Sequence, residues 1–432
     1  MFFLIVKSYF FGQSFSTSPI SYYGIGEKSW QSQAIYSSLG YSGISVFDST
    51  QLNIQNPASY SYLSKGNTLF SLGMGGKITN FSDQQGSVIR SQYLVDQYAL
   101  GFKMKKKLGL AFGLRPYANR NYQVTDYEFT GVDSLRYSYI GKGGFSEVLI
   151  GTSYRPLNTR IIKFSVGGNI GYVFGANEKI RRAHLMVSNS DYPFGEQNTL
   201  MRINSLSLYT SAILELNLSK NNQITLTAAY EPSTYASKLR TINSISNVTL
   251  GTNGRPSYDV ISADTMDYEY VSESFSLGLS YKIGLPKWRI QTRELHPSLS
   301  IISSFKSTSS TILDLDTTNS FVWSTGLQFN PERDLFENLS ILKFPEKLSY
   351  RIGGYFSNFQ FYDQSVNDFG TTFGIGLPIL IQQSLSSVNF SFQIGKRMND
   401  SESINELYGG MQVGLIFCPS SFDRWFRKRK LD

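Results

Sequence analysis

Apolar and polar residues alternate with a period of two over much of this chain. Successive side chains of a strand point to opposite faces, so the rhythm predicts strands with one oily and one polar face. Residues 160–174 put Ile162, Phe164, Val166, Ile170, Tyr172 and Phe174 on one parity. Lys163, Ser165, Gly167, Asn169 and Gly171 occupy the other. Residues 206–218 set Leu206, Leu208, Ala212, Leu214, Leu216 and Leu218 against Ser207, Ser211, Glu215 and Asn217. Residues 275–283 and 388–394 repeat the pattern, with Phe275, Leu277 and Leu279 in the first and Val388, Phe390 and Phe392 in the second.

Fourteen such segments are predicted: 66–80, 91–105, 107–122, 145–156, 160–175, 199–219, 222–236, 268–283, 296–308, 318–329, 346–361, 368–380, 386–398 and 405–417. Each reaches the roughly 9–11 residues that a tilted strand needs to cross a bilayer. The reading is an all-β protein, a 14-stranded antiparallel transmembrane β-barrel. The even number is that of bacterial outer-membrane barrels.

Connection lengths alternate too. Lys105–Lys107, Leu157–Thr159, Lys220–Asn221 and Ile381–Leu385 are tight, whereas 123–144, 176–198 and 237–267 are long and polar. Outer-membrane barrels have short periplasmic turns and longer outer loops, so both termini are expected in the periplasm. Connections 284–295 and 330–345 break the rule, being long on the periplasmic side.

The chain divides accordingly. Residues 1–12 (MFFLIVKSYFFG) read as a secretory signal or an apolar N-terminal arm; Lys7 stands inside the apolar run, not before it. Residues 13–65 precede the first strand and form an N-terminal plug or hatch in or under the lumen. Ile44, Val46, Phe47, Leu52 and Ile54 in that stretch call for burial. Residues 66–417 are the barrel. Residues 418–432 are a basic periplasmic tail, with Arg424, Trp425, Phe426, Arg427, Lys428, Arg429 and Lys430 suited to anionic headgroups, a partner subunit or plain solvent.

Composition narrows the classes further. Charged residues are 17% of the 432, aromatics 15%, and the formal net charge is +8. No stretch has the roughly 18 apolar residues of a spanning helix. The single cysteine, Cys418, excludes a disulfide scaffold and a zinc–cysteine cluster. Only His184 and His296 could serve histidine chemistry, and neither stands near a serine in a sharp nucleophile turn. Asp314 and Asp316 lack calcium-loop spacing, and Gly73-Met74-Gly75-Gly76 lacks the Lys-Ser/Thr pair of a phosphate loop. No catalytic residue, metal site or cofactor is expected, and no nucleic-acid partner. The lumen parity carries Lys103, Arg115, Arg155, Lys163, Glu215, Glu231, Lys282 and Arg351, which can pair with one another, hold the hatch or line an anion-selective pore.

Several motifs together resemble the long-chain fatty-acid transporter (FadL-like) family of outer-membrane proteins, in the version common in Bacteroidota. The carrying residues are Tyr22-Tyr23-Gly24-Ile25-Gly26, Asn56-Pro57-Ala58-Ser59-Tyr60, Thr372-Phe373-Gly374-Ile375-Gly376-Leu377-Pro378 and the closing Trp425 to Lys430. The resemblance spans essentially the whole chain. It implies an inward-folded hatch, entry of a hydrophobic compound such as a long-chain fatty acid, and exit through a gap in the wall. It places Asn56, Pro57 and Ala58 in the hatch, with Phe47 and Tyr60 beside the substrate path. From the residues alone, Asn56-Pro57 also reads as a plain turn into the first strand.

Outer-membrane uptake of a hydrophobic compound is therefore the first expectation. The alternative is a non-transporting subunit of an outer-membrane complex, for protein assembly or type IX secretion, since superfamily members also play that part. Loop 237–267 is mostly Ser, Asn, Thr and Gly, and loop 176–198 carries Lys179, Arg181 and Arg182 with Asp191 and Glu196, which suits a protein surface. Expected partners are outer-membrane lipid and lipopolysaccharide, a hydrophobic small molecule, or other outer-membrane subunits.

Overall fold

The computed structural model describes residues 18–28, 33–64, 68–82, 86–129, 134–187, 190–232, 238–250, 256–290, 293–312, 316–332, 342–361, 364–381, 384–399 and 405–419. The expected signal and almost all of the basic tail lie outside them, as does Asp314.

The alternating segments form the barrel wall. Its strands are β1 (Thr68–Ser82), β2 (Ser87–Lys105), β3 (Leu108–Asn119, resumed at Tyr122–Phe129), β4 (Ser134–Asn158) and β5 (Ile162–Val187). Then come β6 (Ser190–Asn217), β7 (Asn222–Glu231, resumed at Lys238–Leu250), β8 (Pro256–Gly284), β9 (Ser298–Ile312) and β10 (Asp316–Asn330). The last are β11 (Ser349–Phe361), β12 (Gln364–Ile381), β13 (Ser384–Asn399) and β14 (Asn405–Phe417). Each pairs antiparallel with the next, and β14 returns to β1 with Phe417 opposite Phe70, which closes the barrel. Closure removes the unpaired edges that a bilayer would not tolerate.

Parity decides which way each side chain points. Ile170, Leu206, Leu277 and Ile394 are exposed on the outer wall, while Asn169, Ser211, Ser276 and Ser391 are buried inside. Lys163 and Glu215 face inward and form an ion pair. The inner face is nevertheless not uniformly polar: Leu149, Val173, Ile203 and Ile213 stand at inward positions and are buried.

All fourteen segments are present, but the long outer loops are not loops. The stretches 123–144, 176–198 and 237–267 are largely strand, so β4, β5, β6 and β8 run to 25, 26, 28 and 29 residues. The reason is that the backbone ladder does not need lipid. Beyond the bilayer polar and apolar residues mix on the exposed positions, the alternation fades, and cross-strand pairs replace it. Arg182–Glu196 at 2.6 Å, Lys142–Glu178 at 3.0 Å and Arg240–Asp267 at 2.8 Å join neighbouring strands in this projecting sheet.

Strands β2 and β3 separate part-way up. Their ladder covers Tyr98–Lys105 against Leu108–Leu114; farther out β2 pairs with β1 alone. The outer part of β3 pairs with β4, and a two-residue strand, Glu27–Lys28, adds to it at Asn119 and Ala118.

That short strand belongs to residues 18–64, which pack on the inward face of the wall. The segment is a chain of single turns: Pro19–Tyr22, helix α1 (Ala34–Ser37), Gly43–Ser45 and Pro57–Tyr62. Buried Ile35, Tyr36, Leu52, Ile54, Tyr60 and Leu63 meet Leu69, Ala99, Ala111 and Leu149 of the wall. Ile25 packs with Phe145, Val173, Met201 and Ile203. These inward apolar residues therefore cover the segment and do not face open water. Close approach needs missing side chains: a Cβ on Gly109 would sit 2.2 Å from the Tyr60 carbonyl oxygen, and one on Gly167 2.5 Å from the Pro57 carbonyl carbon.

Candidate functional site

The seat of the Asn56-Pro57-Ala58 turn is built from both sides. Pro57 opens a 3₁₀ turn, and Asn56 before it lies outside the helical region, which a following proline disfavours. The fully buried Asn56 amide then donates to the Ile44 carbonyl at 2.7 Å and accepts from Ser211 Oγ at 2.7 Å. The same hydroxyl oxygen accepts the Ala58 backbone N–H at 2.9 Å, and Ser165 Oγ donates to the Ala58 carbonyl at 3.0 Å. Tyr60 donates to Asn169 Oδ1 at 3.0 Å, and Asn169 donates back to the Ile54 carbonyl at 3.2 Å. Asn56, Ala58 and Tyr60 are thus each tied by hydrogen bonds to β5 or β6. Phe47 stands apart, half-buried, its ring 4.4 Å from that of Tyr62, and Arg155 covers the Tyr62 ring at 3.5 Å.

The eight predicted lumen charges fall into separate settings. Arg115 pairs with Glu147 at 2.6 Å, Lys163 pairs with Glu215, and Glu231 accepts from Ser274 at 3.0 Å. Arg351 donates to Asn389 at 3.0 Å under the segment, and Arg155 stacks as described. Lys103 and Lys282 are half-buried near the tight-turn end. The structure does not bring these eight together into one lining.

The strongest constellation was not visible in the sequence. Arg397 of β13 is buried, and its guanidinium meets Glu27 at 2.8 Å, Asp368 at 2.9 Å and Glu406 at 3.4 Å. Tyr408 donates to Asp368, Tyr355 and Tyr408 share a hydroxyl contact, and Ser18 donates to Glu406. Lys77 lies over the Tyr408 ring at 3.8 Å. Two cations thus face three carboxylates around the short strand. A buried charge set persists only if its members satisfy each other.

A second anchor is Arg120, with no exposed surface. The break between Asn119 and Tyr122 turns it inward. Its guanidinium donates to the Ser21 carbonyl at 3.0 Å, to the Gly24 carbonyl and to Asn177 Oδ1 at 3.0 Å; Asn177 donates to the Ile25 carbonyl at 2.9 Å. Sequence reasoning had no signal for either anchor, because the residues come from strands far apart in the chain.

Between the segment and β9–β10 lies a cavity of about 180 Å³, lined in part by Ile44, Tyr117, Tyr209, Lys306, Val322 and Phe359. A smaller one of about 90 Å³ adjoins the Arg397 cluster. Ligand sites for drug-sized molecules usually measure about 300–1,000 Å³.

The BamG family profile matches residues 1–432. The chain belongs to the BamG family. A Pseudomonas aeruginosa FadL homologue superposes with a TM-score of 0.53 at 9% identity, over 90% of this chain and 98% of that one. The Pseudomonas putida toluene transporter TodX superposes with a TM-score of 0.50 at 13% identity, over 94% of this chain and 99% of that one. These likenesses concern the fold: BamG-family residues 68–417 form a FadL-type outer-membrane barrel. No curated protein matches the sequence.

Proposed function

We propose that this BamG-family barrel is a non-transporting subunit of an outer-membrane protein complex, one that assembles other outer-membrane proteins. The supporting observation is the projecting sheet. Strands of 25 to 29 residues extend well past the roughly 9–11 needed for crossing, and carry exposed apolar side chains into water. Phe129 is 72% exposed, and the successive residues Val260 and Ile261 are each 62% exposed. A register shift opposite Ile245 and Ser246 leaves Ile261 outside the ladder with β7. Exposed apolar patches rimmed by charge, such as Asp259 and Asp264 here, are typical of protein-binding surfaces. The inner segment supports the same reading, because a movable hatch would have to break the Arg397 ion pairs and the hydrogen bonds of buried Arg120. In this reading the segment is a fixed plug, and the tight turns and both termini are periplasmic.

Passage of a hydrophobic compound is the second reading. The divergence of β2 from β3 favours it, since a lateral gap in the wall is what such passage requires, and the FadL homologue and the toluene transporter share the fold. Long-chain fatty acid specificity would belong to this reading.

Purification from native membranes in mild detergent, without crosslinking, separates them. A stoichiometric protein partner, lost in a Val260→Ser/Ile261→Ser/Phe129→Ser variant that still folds, is the expected result. An isolated barrel carrying fatty acid or another hydrophobic compound in its lumen, with no protein partner, would reject the subunit reading.

A further inference from the structure

Three tight turns at the end opposite the projecting sheet share an unusual composition. Lys105, Lys106 and Lys107 stand at the β2–β3 turn, Arg160 at β4–β5 and Lys220 at β6–β7, all exposed. None of the three turns contains an acidic residue. Apolar residues are interleaved with the cations and are also exposed: Met104 at 51%, Leu157 at 52%, Ile161 at 65% and Leu218 at 61%. Cations beside exposed aliphatic side chains fit the boundary between phosphate headgroups and acyl chains.

A groove in the outer wall begins at the same place. Its first lining residue, Leu108, follows Lys107 directly. From there it crosses β4 to β8 past Tyr154, Gly168, Ala212 and Ala228 to Phe275 as a shallow, open depression. The register is continuous: Leu108 faces Tyr154, Tyr154 faces Val166, Val166 faces Ala212, and Ala212 faces Ala228. Small outward residues at Gly168, Ala212 and Ala228 make the depression, and aromatic rings close its end.

We infer that this rim and groove form a binding site for an anionic glycerophospholipid. The phosphate meets Lys105–Lys107 and Arg160, and one acyl chain lies in the groove. Charge complementarity selects the headgroup, and continuity of the groove with the lysine turn selects a lipid over an acidic protein surface. The site is distinct from the projecting sheet and does not depend on the subunit reading.

The test uses the full chain in detergent, stripped of lipid and then exposed to equimolar dioleoylphosphatidylglycerol and dioleoylphosphatidylcholine. Retained lipid is counted by native mass spectrometry. Phosphatidylglycerol should be retained preferentially, by roughly tenfold, which corresponds to about 1.4 kcal/mol. A K105Q/K106Q/K107Q/R160Q variant should lose that preference. Ala228→Trp, which fills the groove and leaves the charge unchanged, should lower retention of phosphatidylglycerol. The inference is overturned if the two lipids are retained equally, or if both variants retain phosphatidylglycerol like the parent. It is also overturned if lipopolysaccharide takes the site in its place, or if the lysine variant loses only a protein partner. Unchanged heat-modifiability on gels shows that the variants are folded, so a loss reports on binding.

Discussion

Glu27 and Arg397 lie 370 positions apart in the chain and 2.8 Å apart in the structure. The contact ties a two-residue strand of the inner segment to the thirteenth strand of the wall, and Asp368 and Glu406 complete it from β12 and β14. The segment is therefore held by an ion pair whose wall partner, Arg397, is almost fully buried.

Removing Arg397 leaves three carboxylates without their common partner. Arg397→Met should destabilise the protein by about 3–5 kcal/mol, the usual cost of breaking a buried ion pair from one side. Arg397→Lys should recover part of it. Melting followed by heat-modifiability, together with proteolysis of residues 18–64, checks both.

The same cluster makes docking of the segment sensitive to acid. Burial by itself would raise the Glu27 carboxyl, but Arg397 and Lys77 outweigh it and hold the group below the usual carboxylate range. A depressed folded value means that the contribution is fully present above the unfolded carboxylate value. It is lost as pH falls through the folded one. Stability should thus exceed that of Glu27→Gln at pH 7, and the difference should shrink below about pH 4. A gap in melting temperature that stays constant down to pH 3 would contradict this.

Gly167 and Gly168 are neighbours on opposite faces of β5. A methyl on Gly167 would meet the Pro57 and Ala58 backbone at 2.5 and 2.6 Å, whereas one on Gly168 meets nothing nearer than 3.5 Å. Gly167→Ala should cost about 1–3 kcal/mol, as overpacking does. Gly168→Ala should be close to neutral by thermal melting. Equal effects would mean that the turn does not press on the wall.

Asn56→Ala removes two buried hydrogen bonds and strands the Ile44 carbonyl and the Ser211 hydroxyl. The expected loss is about 1–3 kcal/mol. In a double-mutant cycle with Ser211→Ala, the coupling should reach about 0.5 kcal/mol or more, as for residues in contact. Additive losses would show that the pair is not formed.

Outward parity is open to the same kind of test. Ile170 is exposed to lipid, and Ile170→Arg should reduce stability by about 2–4 kcal/mol near mid-bilayer. Tyr258→Arg, on the projecting sheet, should be tolerated, and refolding yield into vesicles measures both.

The sequence by itself determined the wall. Alternation such as Phe164 against Lys163 is local, because side-chain direction in a strand depends on parity alone, and so the fourteen crossings and their lipid-facing residues could be read directly. It also singled out Asn56, Pro57, Ala58 and Tyr60, whose types and spacing carry a turn. Where alternation faded, at 123–144, 176–198 and 237–267, it no longer marked strands, although cross-strand charge pairs keep those segments in the sheet. The tertiary structure alone decided what fills the barrel. Arg120, Glu27 and Arg397 look like ordinary single charges in sequence; Arg397 meets Glu27, and Arg120 meets the Ser21 and Gly24 carbonyls, only when the barrel brings distant parts of the chain together. Burial then makes these contacts obligatory, because a charge largely removed from water must be met by a counter-charge, as at Arg397, or by hydrogen bonds, as at Arg120.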